Sequence, residues 1–337
     1  MRRIRCLILG LTACLTTACA PVVAGPVGDK GAALRIVGRH DVMEVGPVLY
    51  AVEQAGPLVA TFSSGGVDNL FRVDGVAAAG GFDHAPGRAD LAAQAETQAL
   101  RASVANPNLR IILTVTEGLY RVVARRSAGI AQVEDLRGKR IGVFERTSAA
   151  YFLDRLLAKA GIPGDAVTLV PLRPREMEPA LAARTVDAIA IWEPESERGE
   201  RTLGDDAISF SDPVLYRELY NLNTTAEALA DPARRERIVD FVRRLITAAR
   251  VATDQPSQIW PLVATSSGYP ADLVAASWPH HRFPAGLPAD LLDVMVEQEQ
   301  WLAAQNARSP RDRAQLAPLI DATVLHDALA THGGPAE

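Results

Sequence analysis

The segment Asp135-Leu136-Arg137-Gly138-Lys139-Arg140-Ile141-Gly142-Val143 decides the fold. A turn carrying Gly138 leads into a short apolar run, Arg140–Phe144, with the length and flanks of a buried strand. Glu145-Arg146-Thr147-Ser148-Ala149 follows, and apolar residues at helical spacing then run over Ser148–Ala160 until Gly161 stops them. Thr147 or Ser148 is placed to cap that helix. Its N-terminus offers free N–H groups and a partial positive charge, which suit a ligand oxygen or a purely structural cap equally well.

The alternation continues on both sides of this unit. Upstream, Leu34–Val37, Leu58–Phe62, Leu109–Val115 and Tyr120–Arg125 read as strands, with helices over Val45–Gln54 and Glu96–Ala105. Ser63–Gly66 reads as a turn, and the Gly-rich stretch to Ala89 carries no clear pattern. Downstream come a strand Ala166–Val170, a helix Glu176–Arg184 and a strand Ala188–Trp192. Two blocks of β-α-β alternation predict mostly parallel sheets covered by helices. Right-handed crossovers bring the strand C-terminal ends to one rim, where open α/β sheets bind ligands. After Asn223 the reading gives helices only: Pro232–Thr253, Pro256–Ala264, Pro288–Gln305 and Asp321–Thr331. Several carry proline near the first turn, where it is favoured.

The quoted strand-to-helix unit is followed by Ala180-Leu181-Ala182-Ala183-Arg184-Thr185-Val186-Asp187-Ala188-Ile189-Ala190-Ile191-Trp192-Glu193-Pro194. The pair resembles the periplasmic solute-binding proteins of the nitrate, sulfonate, taurine and thiamine-pyrimidine ABC importers. In that family a "DL-x-GK-x-IGV" strand leads to a helix start that touches the ligand, and an "AL-x-x-G-x-VDA-x-x-x-WEP" element follows. The match is good over Gln132–Glu195 and looser over Ala89–Arg125. Arg146 stands where the family usually has Gly, and residues 38–87 are not close to the sulfonate or nitrate members.

The resemblance implies an α/β fold of the two-lobe, type II periplasmic binding kind. Each lobe would be a mostly parallel sheet with flanking helices, and the C-terminal helices would return to lobe one. Residues 33–121 would begin lobe one, 122–220 form lobe two, and 221–337 return. Tyr120–Arg125 would cross out and a segment near Tyr216–Asn223 would cross back, making a hinge that closes on ligand. The implied role is capture of a small nutrient and delivery to an ABC permease. A ligand sensor for a signalling receptor is the alternative, and a pyrimidine-forming enzyme on the same fold is a third.

Candidate cleft residues on the expected rim are Arg39, His40 and Asp41; Gln94, Glu96, Thr97 and Gln98; Thr114, Thr116 and Glu117. In the second block they are Thr147, Ser148, Trp192 and Glu193, with Tyr120 and Asn221 near the hinge. Trp192 offers a face for stacking or cation–π contact, or else is a core side chain at a strand end. Glu193 either accepts ligand hydrogen bonds or simply opens a helix, and His40 with Asp41 could equally be a capped turn. Asp41, Glu96, Glu117, Glu145 and Glu193 make these loops acidic, with Arg39 and Arg146 to offset them. A bare oxyanion meets unfavourable charge there. An amine, amide or pyrimidine-like ligand fits better.

Composition supports a globular chain, 48% hydrophobic and 22% charged over 337 residues. The first 20 residues stand apart: Arg2, Arg3 and Arg5, then an apolar run, then small residues, in the order of a secretory leader. All three cysteines, Cys6, Cys14 and Cys19, lie there, so the body has no disulfide, no Cys nucleophile and no Cys metal site. Thr16-Thr17-Ala18-Cys19 resembles a lipobox, which would make Cys19 the lipid-bearing first residue after a signal peptide 1–19, with 20–32 as linker. Leu11-Thr12-Ala13-Cys14 and plain cleavage after Ala20 or Ala24 are the other readings. Losing three arginines moves the net charge from −5 to about −8, which argues against a nucleic-acid partner. The lysines Lys30, Lys139 and Lys159 are badly placed for a Schiff base. No Ser–His pairing or clustered metal ligands are visible, and His280-His281 reads as a solvated loop. The sequence therefore points to a monomeric binding protein with no catalytic residue, cofactor or metal. A lipid anchor would be its one link to the membrane.

Overall fold

A computed structural model describes residues 32–71 and 88–330. The leader, Cys19 and nearly all of the expected linker lie outside the described residues. The strands are β1 (Leu34–Gly38), β2 (Ala60–Ser64), β3 (Leu91–Ala95), β4 (Leu109–Gly118), β5 (Arg121–Arg125), β6 (Arg140–Val143), β7 (Thr168–Pro171), β8 (Ala188–Ile191), β9 (Ala207–Phe210), β10 (Glu218–Thr225) and β11 (His281–Arg282). They form a six-stranded sheet, ordered β11-β4-β10-β3-β1-β2, and a five-stranded sheet, ordered β7-β6-β8-β5-β9. In the first, β1 runs parallel to β2 and β3, while β10 runs antiparallel to β3 and β4. In the second, β6 runs parallel to β7 and β8, and β5 runs antiparallel to β8 and β9.

The chain therefore leaves the first sheet at the end of β4 and enters the second at β5. It returns between β9 and β10. The expectation that Tyr120–Arg125 itself crosses is corrected in detail: the passage is Leu119-Tyr120, and β5 already belongs to the second sheet. Tyr120 on the outward passage meets Tyr216 on the return, edge to face, with centroids 5.7 Å apart. One buried apolar cluster runs from Leu34 and Ile36 through Tyr120 and Tyr216 to Val122, Ile141 and Ile189. The two sheets thus share core at the place where the chain passes between them.

The helices are α1 (Gly46–Ala55), α2 (Glu96–Ser103), α3 (Ser148–Lys159), α4 (Pro174–Ala182), α5 (Glu195–Leu203), α6 (Ala226–Ala230), α7 (Pro232–Asp254), α8 (Trp260–Ser267), α9 (Ala271–Ser277), α10 (Leu291–Gln305), α11 (Arg313–Leu316) and α12 (Thr323–Leu329). α7 packs on α1, and α10 packs on α2. Asp231 caps α7 by accepting from the N–H groups of Ala233 and Arg234, and Pro232 follows in the first turn.

Several expectations are overturned. Strands do not stop at Asn223: β10 continues to Thr225, and the two-residue β11 pairs with β4. β10 reads Glu-Leu-Tyr-Asn-Leu-Asn-Thr-Thr and hides its strand character because its polar residues are buried too. They are held by partners inside the sheet: Asn223 Nδ2 donates to Ala92 O at 3.0 Å, and Thr114 Oγ1 donates to Asn221 Oδ1 at 2.7 Å. β3 was not anticipated, since Leu-Ala-Ala-Gln-Ala has little β propensity and is a strand through its neighbours. α5, unanticipated as well, is nearly all polar. Its folding rests on tertiary contacts, among them Arg121 bound to Glu193 and Glu200.

Candidate ligand-binding cleft

The two sheets face each other across a recess with about 400 Å³ of space between atoms, including its open side. From the first sheet and its helices come Arg39, Val42, Glu44, Gln94, Ala95, Gln98, Glu218 and Tyr220. From the second come Phe144, Thr147, Ser148 and Trp192, with Tyr120 between them. The rim is where β1, β3 and β6 end, as the alternation predicts. A wider, more polar mouth lies outside and includes His40, Asp41, Arg101, Arg146 and Arg173.

Each wall has a local cause. After β6 the chain turns at Arg146, with φ at +60°, and Thr147 takes the N-cap position of α3. Thr147 does not close the helix with its side chain; its Oγ1 donates back to Phe144 O at 2.6 Å. Ser148 Oγ instead pairs with Tyr120 OH at 2.8 Å, joining the second sheet's helix to the crossing segment. Trp192, at the end of β8, is 6% exposed and lies 6.1 Å from both the Tyr120 and Phe144 rings. It is partly core and partly cleft wall, so both sequence readings describe it.

The floor is acidic. Glu44 sits on the short 3-10 turn Met43–Val45 before α1, and Thr116 Oγ1 fixes that turn by donating to Glu44 O at 2.9 Å. The Glu44 residue is 1% exposed, and neither of its carboxylate oxygens meets a donor in good hydrogen-bond geometry. His281 Nε2 lies 3.4 Å from Oε1. Glu218 opens β10 beside it, 4% exposed. A Cβ on Gly118 would fall 3.0 Å from Glu44 Oε1 and 3.1 Å from Glu218 Oε2, so both carboxyls converge over a residue with no side chain. Burial, reinforced by the charges of Glu44 and Glu96, raises the Glu218 carboxyl well above the usual carboxylate range. Burial also raises the Tyr120 hydroxyl, helped by Glu218 and Glu44.

Of the residues the sequence nominates, Arg39, Gln94, Gln98, Tyr120, Thr147, Ser148 and Trp192 come together at the recess, and His40 and Asp41 reach the outer mouth. Arg39 is paired with Asp41 at 2.5 Å, and His40 Nδ1 lies 3.1 Å from Ser64 Oγ. The others do not line it. Glu96 is buried and accepts from Tyr216 OH at 2.6 Å, Leu219 N at 2.8 Å and Gln298 Nε2. Thr97 donates to Gln298 Oε1. Glu117 faces the opposite side of β4, bonded to Arg217. Glu193 is buried against Arg121, and Asn221 lies inside the sheet, its Oδ1 accepting from Thr114. Thr116 acts one step removed, through Glu44. Glu44, Glu218, Tyr220 and Phe144 were missed. The available signal was an acid inside an apolar run, Val42-Met43-Glu44-Val45, since a lone charge there must find a buried role.

His280-His281 is not a solvated loop. His281 is 8% exposed beside Glu44. Burial lowers its imidazole, but Glu44 outweighs that and the net direction is up. His280, half buried next to Arg121, is pushed down to about 4. Among the described residues no cluster of three or more His, Cys, Asp or Glu side chains could hold a metal.

Comparison with known proteins gives consistent results. A candidate binding protein of Brucella abortus (strain 2308) is 39% identical over 74 residues, 22% of this chain and 23% of that one. The match therefore spans about a quarter of the curated relative's length. The alkanesulfonate-binding protein SsuA from Xanthomonas axonopodis pv. citri, solved bound to MOPS, superposes with a TM-score of 0.65 at 22% identity, covering 86% of this chain and 98% of that one. The desulfurization enzyme DSZB superposes with a TM-score of 0.58 at 16% identity, over 88% and 99% of the two chains. The fold is thus the two-lobe α/β fold of periplasmic binding proteins, one that also carries an enzyme. The family model described as NMT1/THI5 like matches residues 84–259, more than half of the sequence, and the chain belongs to that family.

Proposed function

We propose that the protein is a solute-binding receptor that captures one small molecule between its two sheets and passes it to an ABC-type importer. The observation that carries this reading is the recess itself. It is lined from both sheets, floored by the buried Glu44, whose carboxylate oxygens meet no donor in good hydrogen-bond geometry, and placed beside the two passages of chain that join the sheets. Two passages form a hinge, and a ligand touching both sides favours closure by its differential contacts with the closed state. On this reading the lobes meet within a few residues of the expected bounds 121 and 220, since β5 begins at Arg121 and β10 at Glu218.

Capture without chemistry is the reading the wall supports. Ser148 Oγ pairs with Tyr120 OH, not with a histidine. Lys139 donates to Ala128 O, and Lys159 pairs with Asp212, both away from the recess. A secreted form tethered through Cys19 would keep the receptor beside the permease. A monomer suffices, since one chain supplies every wall.

The test is a thermal-shift screen of fractionated cell extract, followed by native mass spectrometry. A ligand at one hundred times its Kd should stabilise the fold by about 2.7 kcal/mol, bind one to one, and be released chemically unchanged when the protein is unfolded. Turnover of the molecule, or no stabilising fraction at all, overturns the reading.

A further inference from the structure

The floor of the recess specifies the charge of its occupant. We infer that the protein selects a small organic cation bearing N–H donors, an ammonium or amidinium group, seated between the carboxyls of Glu44 and Glu218. This deepens the solute-binding reading and rests on it.

Three observations converge. Glu44 lines the recess, is 1% exposed, and both its oxygens lack a hydrogen-bond donor in good geometry. A buried carboxylate left so is costly, and such groups are ordinarily paired. Glu218 lines the same recess, and the two carboxyls converge over Gly118, where a charged donor could bridge them. Among the described residues, the cationic side chain lining this inner space is Arg39, which is already bound to Asp41. Tyr120 and Trp192 present ring faces that suit the carbon skeleton next to a cation. A sulfonate or carboxylate placed there would face two acids, whereas an ammonium would satisfy both.

Burial and the charges of Glu44 and Glu96 favour the protonated form of Glu218. The groups around Glu218 are Glu44, Glu96, Tyr120, Tyr216, Tyr220 and Arg39, and His281 lies beside Glu44. A bound cation favours ionised Glu218, so binding releases that proton. Affinity rises with pH from the ordinary carboxylate range up to the raised Glu218 value. Deprotonation of His281 at higher pH acts in the same direction, because it leaves Glu44 uncompensated.

The test uses benzylammonium and benzamidinium against benzenesulfonate, benzoate, benzamide and benzyltrimethylammonium, in thermal shift and calorimetry on the full chain. The two N–H cations should stabilise the protein, release protons, and bind more tightly as pH rises. Glu44→Gln should weaken them at least tenfold while leaving the ligand-free protein as stable or more so, which a merely structural residue would not do. Stabilisation by benzenesulfonate or benzoate alone, unchanged in Glu44→Gln, overturns the assignment of charge. No response to any N–H cation does so too. Equal binding of benzyltrimethylammonium moves recognition from the carboxyls to the rings and overturns it as well. In each case the molecule recovered from cell extract still binds, so the receptor reading survives; if no extract fraction binds, the receptor reading itself fails.

Discussion

Gly118 is the residue on which the cleft turns. Its missing side chain leaves the space where Glu44 and Glu218 meet, with Tyr120 Cε1 next nearest at 3.4 Å. Gly118→Ala would put a methyl against both carboxyls and force them apart by a few tenths of an ångström. Its cost in a packed site is about 1 kcal/mol, or roughly fivefold in ligand affinity. Titration of the variant with the extract ligand checks this, and unchanged affinity would mean that the ligand does not use the gap. The sequence could not single out this glycine, because its role depends on Glu44 and Glu218, which lie far from it along the chain. Trp192 and Ser148 were legible because they follow strands in a recognisable motif, and Arg39 because it follows the end of an apolar strand. Glu96, Glu117 and Glu193 occupy similar positions, yet their carboxylates turn to Tyr216, Arg217 and Arg121. Which way a side chain turns at a strand end is settled by partners the local pattern does not show.

At the scale of elements, strands with an apolar pattern were readable and strands without one were not. β1, β4, β6 and β8 carry buried runs of Ile, Leu and Val. β3 and β10 are strands by pairing, their small and amide side chains buried in the middle of the first sheet. The C-terminal helices were expected to return to the first block, and α10 is fastened to α2 by hydrogen bonds as well as by packing. The Glu299 side chain is fully buried and is held by Arg308 and Arg311, while Arg311 also donates to Leu100 O and Ser103 Oγ. Burial alone would raise its carboxyl, but the two arginines overcome that and bring it down to about 2. A carboxyl lowered in the folded state stabilises above its unfolded value and loses that contribution as pH falls. Acid unfolding should therefore steepen from about pH 4.5 toward the folded value of about 2. Glu299→Gln should cost about 3 kcal/mol at neutral pH and flatten that part of the profile. Equal acid sensitivity in the variant, followed by circular dichroism, would show that another group carries the transition.

For the whole molecule, the decisive feature is a pair of sheets connected twice, with shared core at the connection and an open recess on the strand ends. The motif Asp135–Val143 led to this arrangement because its Gly turn and short strand, with the helix start that follows, resemble those of the periplasmic solute-binding proteins. The acidity of the recess was legible only as a tendency: the loops read as acidic, but the acids that line the inner recess are not the ones first named. Closure about Tyr120 and Tyr216 would draw the sheets together over the ligand, so the most direct measurement is a crystal structure of the protein with the molecule it retains from cell extract. It should show one unaltered small molecule touching Glu44 and Glu218 on one side and Ser148 and Trp192 on the other, with the sheets closer than in the ligand-free protein. A molecule bound on an outer face, or a reaction product in the recess, would contradict it.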